Sequence, residues 1–187
     1  SIICFISSGW GNENITLYGR GLIYDNLGGY QFKISPNSFY QVNPIQTERL
    51  YNIATDYAGL TGKETVFDLY CGIGTIGIFA SRQAKKVYGI EVVQQAIQDA
   101  EENKRINKVD NIEFMTGEVE NLLPMLVAKT CVDVVFLDPP RKGCDKKALD
   151  TLLRVQPKKI VYISCNPATL ARDVAILEER YELGNIQ

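Results

Sequence analysis

The sequence predicts an α/β fold: a mostly parallel, doubly wound sheet with helices on both faces. Two observations predict the architecture. From Thr65 onward, short apolar runs (65–69, 86–90, 112–116, 132–137 and 159–163) alternate with helical stripes, and successive strand–helix units of this kind build parallel sheets. Three of these runs also end in chemically distinctive strings: Phe67-Asp68-Leu69-Tyr70-Cys71-Gly72-Ile73-Gly74-Thr75-Ile76-Gly77, Asp138-Pro139-Pro140-Arg141 and Ser164-Cys165-Asn166-Pro167. Ligands of open α/β sheets bind at the carboxyl ends of the strands. The three strings should therefore meet in one cleft, and the last delivers a thiol into it.

The elements follow in order. Residues 2–6, 16–18, 22–27 and 30–34 read as short strands, and Gly28-Gly29 between the last two is a hairpin signal. Pro44 opens a helix whose apolar stripe is Leu50, Ile53, Ala54 and Tyr57. The strand at 65–69 leads to a helix from about Thr75 to Arg82, and the strand at 86–90 to a helix from about Val92 to Lys108. The strand at 112–116 precedes a helix with stripe Val119, Leu122, Leu123 and Leu126, in which Pro124 obscures the end. The strand at 132–137 precedes a helix carrying Ala148, Leu149, Leu152 and Leu153. That at 159–163 precedes one carrying Leu170, Ala171, Val174 and Leu177. Residues 1–36 are read as a small β-rich extension and 37–187 as the catalytic domain, with the sheet short of its last strands. The opening on Ser1 in mid-strand suggests a piece of a longer protein.

Composition narrows the chemistry. With 187 residues, 45% hydrophobic and 22% charged, the chain has an ordinary globular composition. No apolar run approaches the roughly 18 residues of a membrane span, so no membrane partner is expected. Five scattered cysteines without a C-x-x-C pair point to a reducing, cytoplasmic setting and away from disulfides or zinc. Histidine is absent, which removes Ser-His and Cys-His nucleophile activation and leaves proton transfer to carboxylates, water or substrate. Among the cysteines, Cys4 and Cys131 read as buried structural residues, and Cys71 and Cys144 as structural residues near the cleft.

Net charge is −2, yet residues 141–159 hold seven basic side chains (Arg141, Lys142, Lys146, Lys147, Arg154, Lys158, Lys159) against Asp145 and Asp150. This run is either a solvated helix face with its turn or a patch contacting phosphates beside the cleft.

Gly72-x-Gly74-x-x-Gly77 fits the fingerprint of a nucleotide-cofactor loop, and Glu91, 19 residues beyond Gly72, is placed to hydrogen-bond ribose hydroxyls. The pattern alone serves NAD and S-adenosylmethionine (SAM) enzymes equally. Three features favour SAM and a Rossmann-like methyltransferase. Asp68 lies where an acid can face a cationic ligand terminus and would repel a pyrophosphate. The Asp138-Pro139-Pro140 turn has no role in hydride transfer. Cys165 suits base methylation and has no duty in a simple dehydrogenase. Asn166 is a good N-cap and Pro167 a good first helical residue, so Cys165 stands just ahead of a helix start, where the macrodipole favours thiolate.

Ser38-Phe39-Tyr40-Gln41-Val42-Asn43, the glycine string, Asp138-Pro139-Pro140-Arg141-Lys142-Gly143 and Tyr162-Ile163-Ser164-Cys165-Asn166-Pro167 resemble, in type and order, the signatures of the RNA uracil-C5 methyltransferases. The resemblance runs from about Ile34 to Arg180. It implies SAM contacts from Gln41, Tyr70, Gly72, Gly74, Glu91 and Asp138, with Glu118 a weaker candidate on the adenine side, and makes Cys165 the nucleophile. It implies a uridine of RNA as substrate, with 23S rRNA preferred to tRNA. It further implies an N-terminal RNA-binding barrel and a catalytic glutamate after the cysteine motif, both expected outside this sequence. Glu178, Glu179 and Glu182 are expected to face solvent. The unfinished sheet is expected to leave an edge that recruits a second copy.

Two further enzyme readings are weaker on the residues. An amino-methyltransferase would follow Asp-Pro-Pro with an aromatic residue, where Arg141 stands, and would leave Cys165 idle. A cytosine-C5 enzyme would need a second cysteine at the Asp138 turn. A non-catalytic SAM- and RNA-binding module is the reading from a different class.

Overall fold

The computed structural model describes residues 21–36 and 38–187. The expected strands at 2–6 and 16–18, and Cys4, lie outside these residues. A hairpin comes first: β1 (Ile23–Leu27) and β2 (Tyr30–Ile34) pair antiparallel around Gly28-Gly29, both with positive φ, as a tight two-residue turn requires. Helix α1 (Pro44–Ala58) follows, capped by the Asn43 side chain accepting from the Gln46 amide at 3.1 Å.

Five strand–helix units complete the chain: β3 (Thr65–Leu69), α2 (Thr75–Ser81), β4 (Lys86–Glu91), α3 (Gln94–Ile106), β5 (Ile112–Thr116), α4 (Val119–Val127), β6 (Val134–Leu137), α5 (Lys146–Val155), β7 (Lys159–Tyr162) and α6 (Pro167–Leu177). The five strands are parallel in the order β5-β4-β3-β6-β7. The chain winds outward from β3 in one direction, then returns to wind in the other, so β3 and β6 flank the switch point where such folds bind ligands.

Side-chain alternation along the central strands divides the core in two. Val66, Val134 and Phe136 face α1, α2 and α3; Phe67, Leu69, Val135 and Leu137 face α4, α5 and α6. Both faces are covered, hence the nearly continuous apolar runs in the sequence. Leu27, Tyr30, Phe32 and Ile34 of the hairpin join the first of these cores, so β1 and β2 pack as part of the same body as the sheet.

Most elements lie where the periodicity places them. Helix α4 passes through Pro124 to Val127, which costs the amide that Glu120 O would otherwise receive. In α1 the buried face is Thr47, Tyr51, Ala54 and Ala58, with Leu50 and Tyr57 at its margin. The cause is Tyr51, which packs edge-on to Phe79 and hydrogen-bonds Thr75 at 3.0 Å, turning the helix one position from the expected stripe. In α6, Asp173 and Leu177 are buried and Ala171 is exposed, because Asp173 is drawn inward by polar partners in the loop after β6.

Candidate active site

Strand register sets the cleft. Leu69 pairs with Ile90 on one side and Leu137 on the other, so the next residues, Tyr70, Glu91 and Asp138, stand at one level across β3, β4 and β6. Gly117 donates to Glu91 O at 2.9 Å, which brings Glu118 to the neighbouring position beyond β5. Ile163 donates to Leu137 O at 2.7 Å, so Cys165 emerges two residues past the level of Asp138 on the adjoining strand.

The loop after β3 shows why its residues are what they are. Tyr70 takes φ 66°, a strained conformation for a side chain of its size, and turns the chain out of the sheet. Gly72 has φ 54°, and a Cβ there would meet nothing within 4 Å, so its bare backbone faces open space. Gly74 has φ 81°, and a Cβ would come within 2.5 Å of Phe114. The first glycine leaves room for a ligand and the second lets Phe114 pack under the loop. Glu91 ties this loop down: Oε2 accepts from the Gly72 amide at 3.1 Å and Oε1 from the Val93 amide at 2.9 Å. A carboxylate has about four acceptor sites, so Glu91 retains capacity for two hydroxyls.

Asp68 is fully buried. Its Oδ2 accepts from the Gly77 amide at 2.7 Å, while Oδ1 has no hydrogen-bond partner among the described residues. Burial pushes its carboxyl up to about 8, with Asp138 and Glu91 adding to the rise against the Gly77 hydrogen bond. Burial also pushes Asp138 up to about 6. Three carboxyl groups thus crowd the carboxyl ends of β3, β4 and β6, one with an orphaned oxygen. Such a set fits a ligand bearing an ammonium and a sulfonium and disfavours a pyrophosphate. The residues present therefore suit SAM, whose cationic groups Asp68 and Asp138 would face and whose ribose Glu91 would meet.

The thiol loop is pinned in place. Asn166 caps α6 by accepting from the Ala168 amide at 3.0 Å, and its Nδ2 donates to Arg141 O at 3.1 Å. Thr169 donates to the same carbonyl at 3.2 Å. Further along, Asp173 accepts from the Cys144 amide at 2.8 Å and from the Tyr162 hydroxyl at 2.7 Å, and Arg172 donates to Lys142 O at 3.0 Å. The turn from Asp138 to Asp145 is thereby fixed against α6, the helix that begins two residues after Cys165.

Cys165 is exposed. Cys71 and Cys144 are buried, and burial raises both thiols, Cys144 to about 11 and Cys71 well above its usual value. Cys131, expected to be buried, is exposed, because it sits in the turn before β6 rather than inside the strand. Gln41 lies in the connector between β2 and α1, half-buried and without a hydrogen bond to the other candidates among the described residues. Glu118 sits at the N-cap position of α4, exposed, accepting from Asn121 at 2.6 Å. Glu178, Glu179 and Glu182 are exposed beyond α6, as expected.

The basic run does not form one patch. Arg141, Lys142, Lys146 and Lys147 lie on the cleft side, before and at the start of α5. Lys158 and Lys159 lie at the other end of the sheet, one paired with Asp133 at 2.8 Å and the other donating to Tyr57 O at 2.8 Å. A ten-residue helix, about 15 Å long, separates the two groups. Sequence reasoning missed the buried polar residues Asp99, Asn103 and Asp173. The signal for the first two was present: Asp99, Asn103 and Asn107 recur every four residues, one face of a helix.

This fold and cleft define a Rossmann-like methyltransferase domain. A profile of the family described as tRNA (Uracil-5-)-methyltransferase matches residues 25–186, and the chain belongs to that family. An uncharacterized RNA methyltransferase of Clostridium tetani is 55% identical over 170 residues, covering 90% of this chain and 37% of the relative. Another, from Clostridium acetobutylicum, is 52% identical over 179 residues, covering 95% of this chain and 39% of the relative. The solved structure of Pyrococcus abyssi tRNA (uracil-54, C5)-methyltransferase in complex with S-adenosyl-L-homocysteine aligns with a TM-score of 0.75 at 35% identity, covering 86% of this chain and 39% of that one. The chain thus spans less than two-fifths of the length of these proteins.

Proposed function

We propose that this chain binds SAM and carries the nucleophile of an enzyme that methylates C5 of uridine in RNA. The observation that carries the reading is the placement of an exposed thiol, Cys165, beside an acidic cleft in which Asp68 leaves a buried carboxylate oxygen without a partner. Gln41, Tyr70, Gly72, Gly74, Glu91 and Asp138 form the cofactor site, with Glu118 at its adenine end. When bound, SAM supplies an electrophilic methyl group.

Uracil C5 is a poor nucleophile. Addition of the Cys165 thiolate to C6 forms a C–S bond and pushes the C5–C6 π electrons toward the C4 carbonyl as an enolate, making C5 nucleophilic. After methyl transfer, loss of the C5 proton to a base lets the thiolate depart and restores the ring, so one hard step becomes several easier ones. Asp138 or the exposed Arg141, both on the turn that Asn166 holds, would meet charge developing on the pyrimidine or orient its edge. The target base must leave its stack or be single-stranded to enter such a cleft. The reading joins a family profile named for uracil-5 methylation to a thiol that amino methylation would not use.

The test is covalent trapping with 5-fluorouridine RNA in the presence of SAM. An adduct at Cys165, lost in Cys165→Ser, supports the reading; SAM binding with no adduct would leave a binding module. Mapping 5-methyluridine in RNA exposed to the enzyme separates rRNA from tRNA targets.

A further inference from the structure

Asp99 and Asn103 sit one turn apart on α3, and neither exposes any surface. Asn103 Nδ2 donates to Ile73 O at 3.1 Å and to Lys33 O at 3.2 Å, while its Oδ1 accepts from the Lys33 amide at 2.6 Å. Asp99 accepts from the Ser35 amide at 3.0 Å and the Ser35 and Ser38 hydroxyls at 2.8 Å each, and pairs with Lys33 Nζ at 3.1 Å. One turn further, Asn107 accepts from the Gln31 amide at 2.9 Å and donates to Gln31 O at 2.7 Å.

The pattern has a geometric basis. Four helical residues advance about 6.0 Å and two strand residues about 6.7 Å. A helix with polar residues at every fourth position can therefore serve as the missing ladder partner of β2, and 99, 103 and 107 meet 35, 33 and 31 in turn. Two of these contacts go beyond that ladder. Ile73 is the middle of the glycine loop, flanked by Gly72 and Gly74 with φ of 54° and 81°; Glu91 holds the Gly72 amide, and Asn103 is the side chain that holds the Ile73 carbonyl. Ser38 opens the connector that carries Gln41. Helix α3 itself begins three residues after Glu91.

We propose that Asp99 and Asn103 are positioning residues of the cofactor cleft. Asn103 sets the glycine loop through the Ile73 carbonyl, and Asp99 sets the Gln41 connector through Ser38, so one helix ties both segments together. The inference rests on the SAM reading above and names residues that do not touch the ligand. A purely structural role would tie β2 to α3 and leave the loop indifferent to the change.

The test compares four proteins: wild type, Asn103→Ala, the near-isosteric Asp99→Asn, and Asn111→Ala. Asn111 is the matched control, since its Nδ2 also donates to two carbonyls, Ser81 O and Ala84 O at 2.9 Å each, but at the end of the sheet away from the cleft. Binding of S-adenosylhomocysteine is measured by calorimetry below each melting temperature, with amide hydrogen exchange on the ligand-free chains. Asn103→Ala should weaken binding at least fivefold and speed exchange at Gly72 and Gly74. Asp99→Asn should weaken it less and loosen Ser38. Asn111→Ala should lower the melting temperature and leave affinity as in wild type. Unchanged affinity in both cleft-side variants, or an equal loss in Asn111→Ala, overturns the inference while the SAM reading stands. A wild-type chain that does not bind overturns the SAM reading, and the inference with it.

Discussion

The side-chain amide of Asn166 donates to the carbonyl oxygen of Arg141 at 3.1 Å, so the residue after Cys165, the proposed nucleophile, is bonded to the turn that carries Asp138. The other end of the same amide caps α6. One side chain therefore fixes both the helix that begins at the thiol and its distance from the turn opposite.

Asn166→Ala should cost about 1 kcal/mol of stability through the lost cap and also reduce 5-fluorouridine trapping. Asn166→Ser separates the two effects: serine can cap but is too short to reach Arg141. Stability should return while trapping stays low. Recovery of both would show that the tie to Arg141 has no bearing on the nucleophile.

Thiol accessibility gives a second expectation. Cys71 and Cys144 are buried with raised thiols, while Cys131 and Cys165 are exposed at opposite ends of the sheet. Brief iodoacetamide treatment of the native chain should label Cys131 and Cys165 and spare the other two. S-Adenosylhomocysteine should protect Cys165 alone. Peptide mapping that finds Cys144 labelled first, or Cys131 equally protected, would contradict the assignment of the cleft.

Much of this was legible in the sequence, for physical reasons. The parallel strands announce themselves because both faces are covered, so runs such as 132–137 are apolar throughout. The common level of Tyr70, Glu91 and Asp138 was legible because a strand's carboxyl end fixes a residue's level whatever its neighbours are. The α1 face was misjudged because apolar spacing cannot foresee that Tyr51 will hydrogen-bond Thr75 and turn the helix. The four-residue recurrence of Asp99, Asn103 and Asn107 marked a polar helix face, but not its partners, which lie 64 and 70 positions earlier in the chain for the first two. The basic run failed as one patch because sequence proximity ignores the length of α5.

Glu91 accepts from the Gly72 amide at 3.1 Å and is proposed to hold the cofactor's ribose. Glu91→Ala should weaken S-adenosylhomocysteine binding by about 1.5–3 kcal/mol, the range for a hydrogen bond to a charged group. Glu91→Gln should recover part of this, since one acceptor remains for the hydroxyls. Calorimetry showing wild-type affinity in the alanine variant would remove Glu91 from the site.

Strand β7 pairs with β6 on one side and, among the described residues, with no strand on the other. Unpaired amide and carbonyl groups along such an edge recruit further strands. The 187-residue chain should self-associate in a concentration-dependent way. A sedimentation profile that remains monomeric at high concentration would dismiss the edge as an interface.

The strongest expectation concerns protons. Asp68 and Asp138 have carboxyls pushed up to about 8 and about 6 by burial. Both are raised in the folded chain, so their contribution to stability is fully present below the ordinary carboxylate range, near pH 4, and is lost as pH rises through 6 and then 8. Asp68→Asn should flatten that decline in thermal melts. A ligand ammonium reverses the preference, because a nearby positive charge favours the ionised carboxylate. At pH 7 Asp68 is mostly protonated in the free chain, so cofactor binding should expel a proton, about one per ligand. At pH 9 the carboxyl is already ionised and the release should vanish. Calorimetry of S-adenosylhomocysteine binding in buffers of differing ionisation enthalpy measures this number directly. Binding heat at pH 7 that does not depend on the buffer would mean that the cation lies elsewhere and that Asp68 serves only to hold the Gly77 amide.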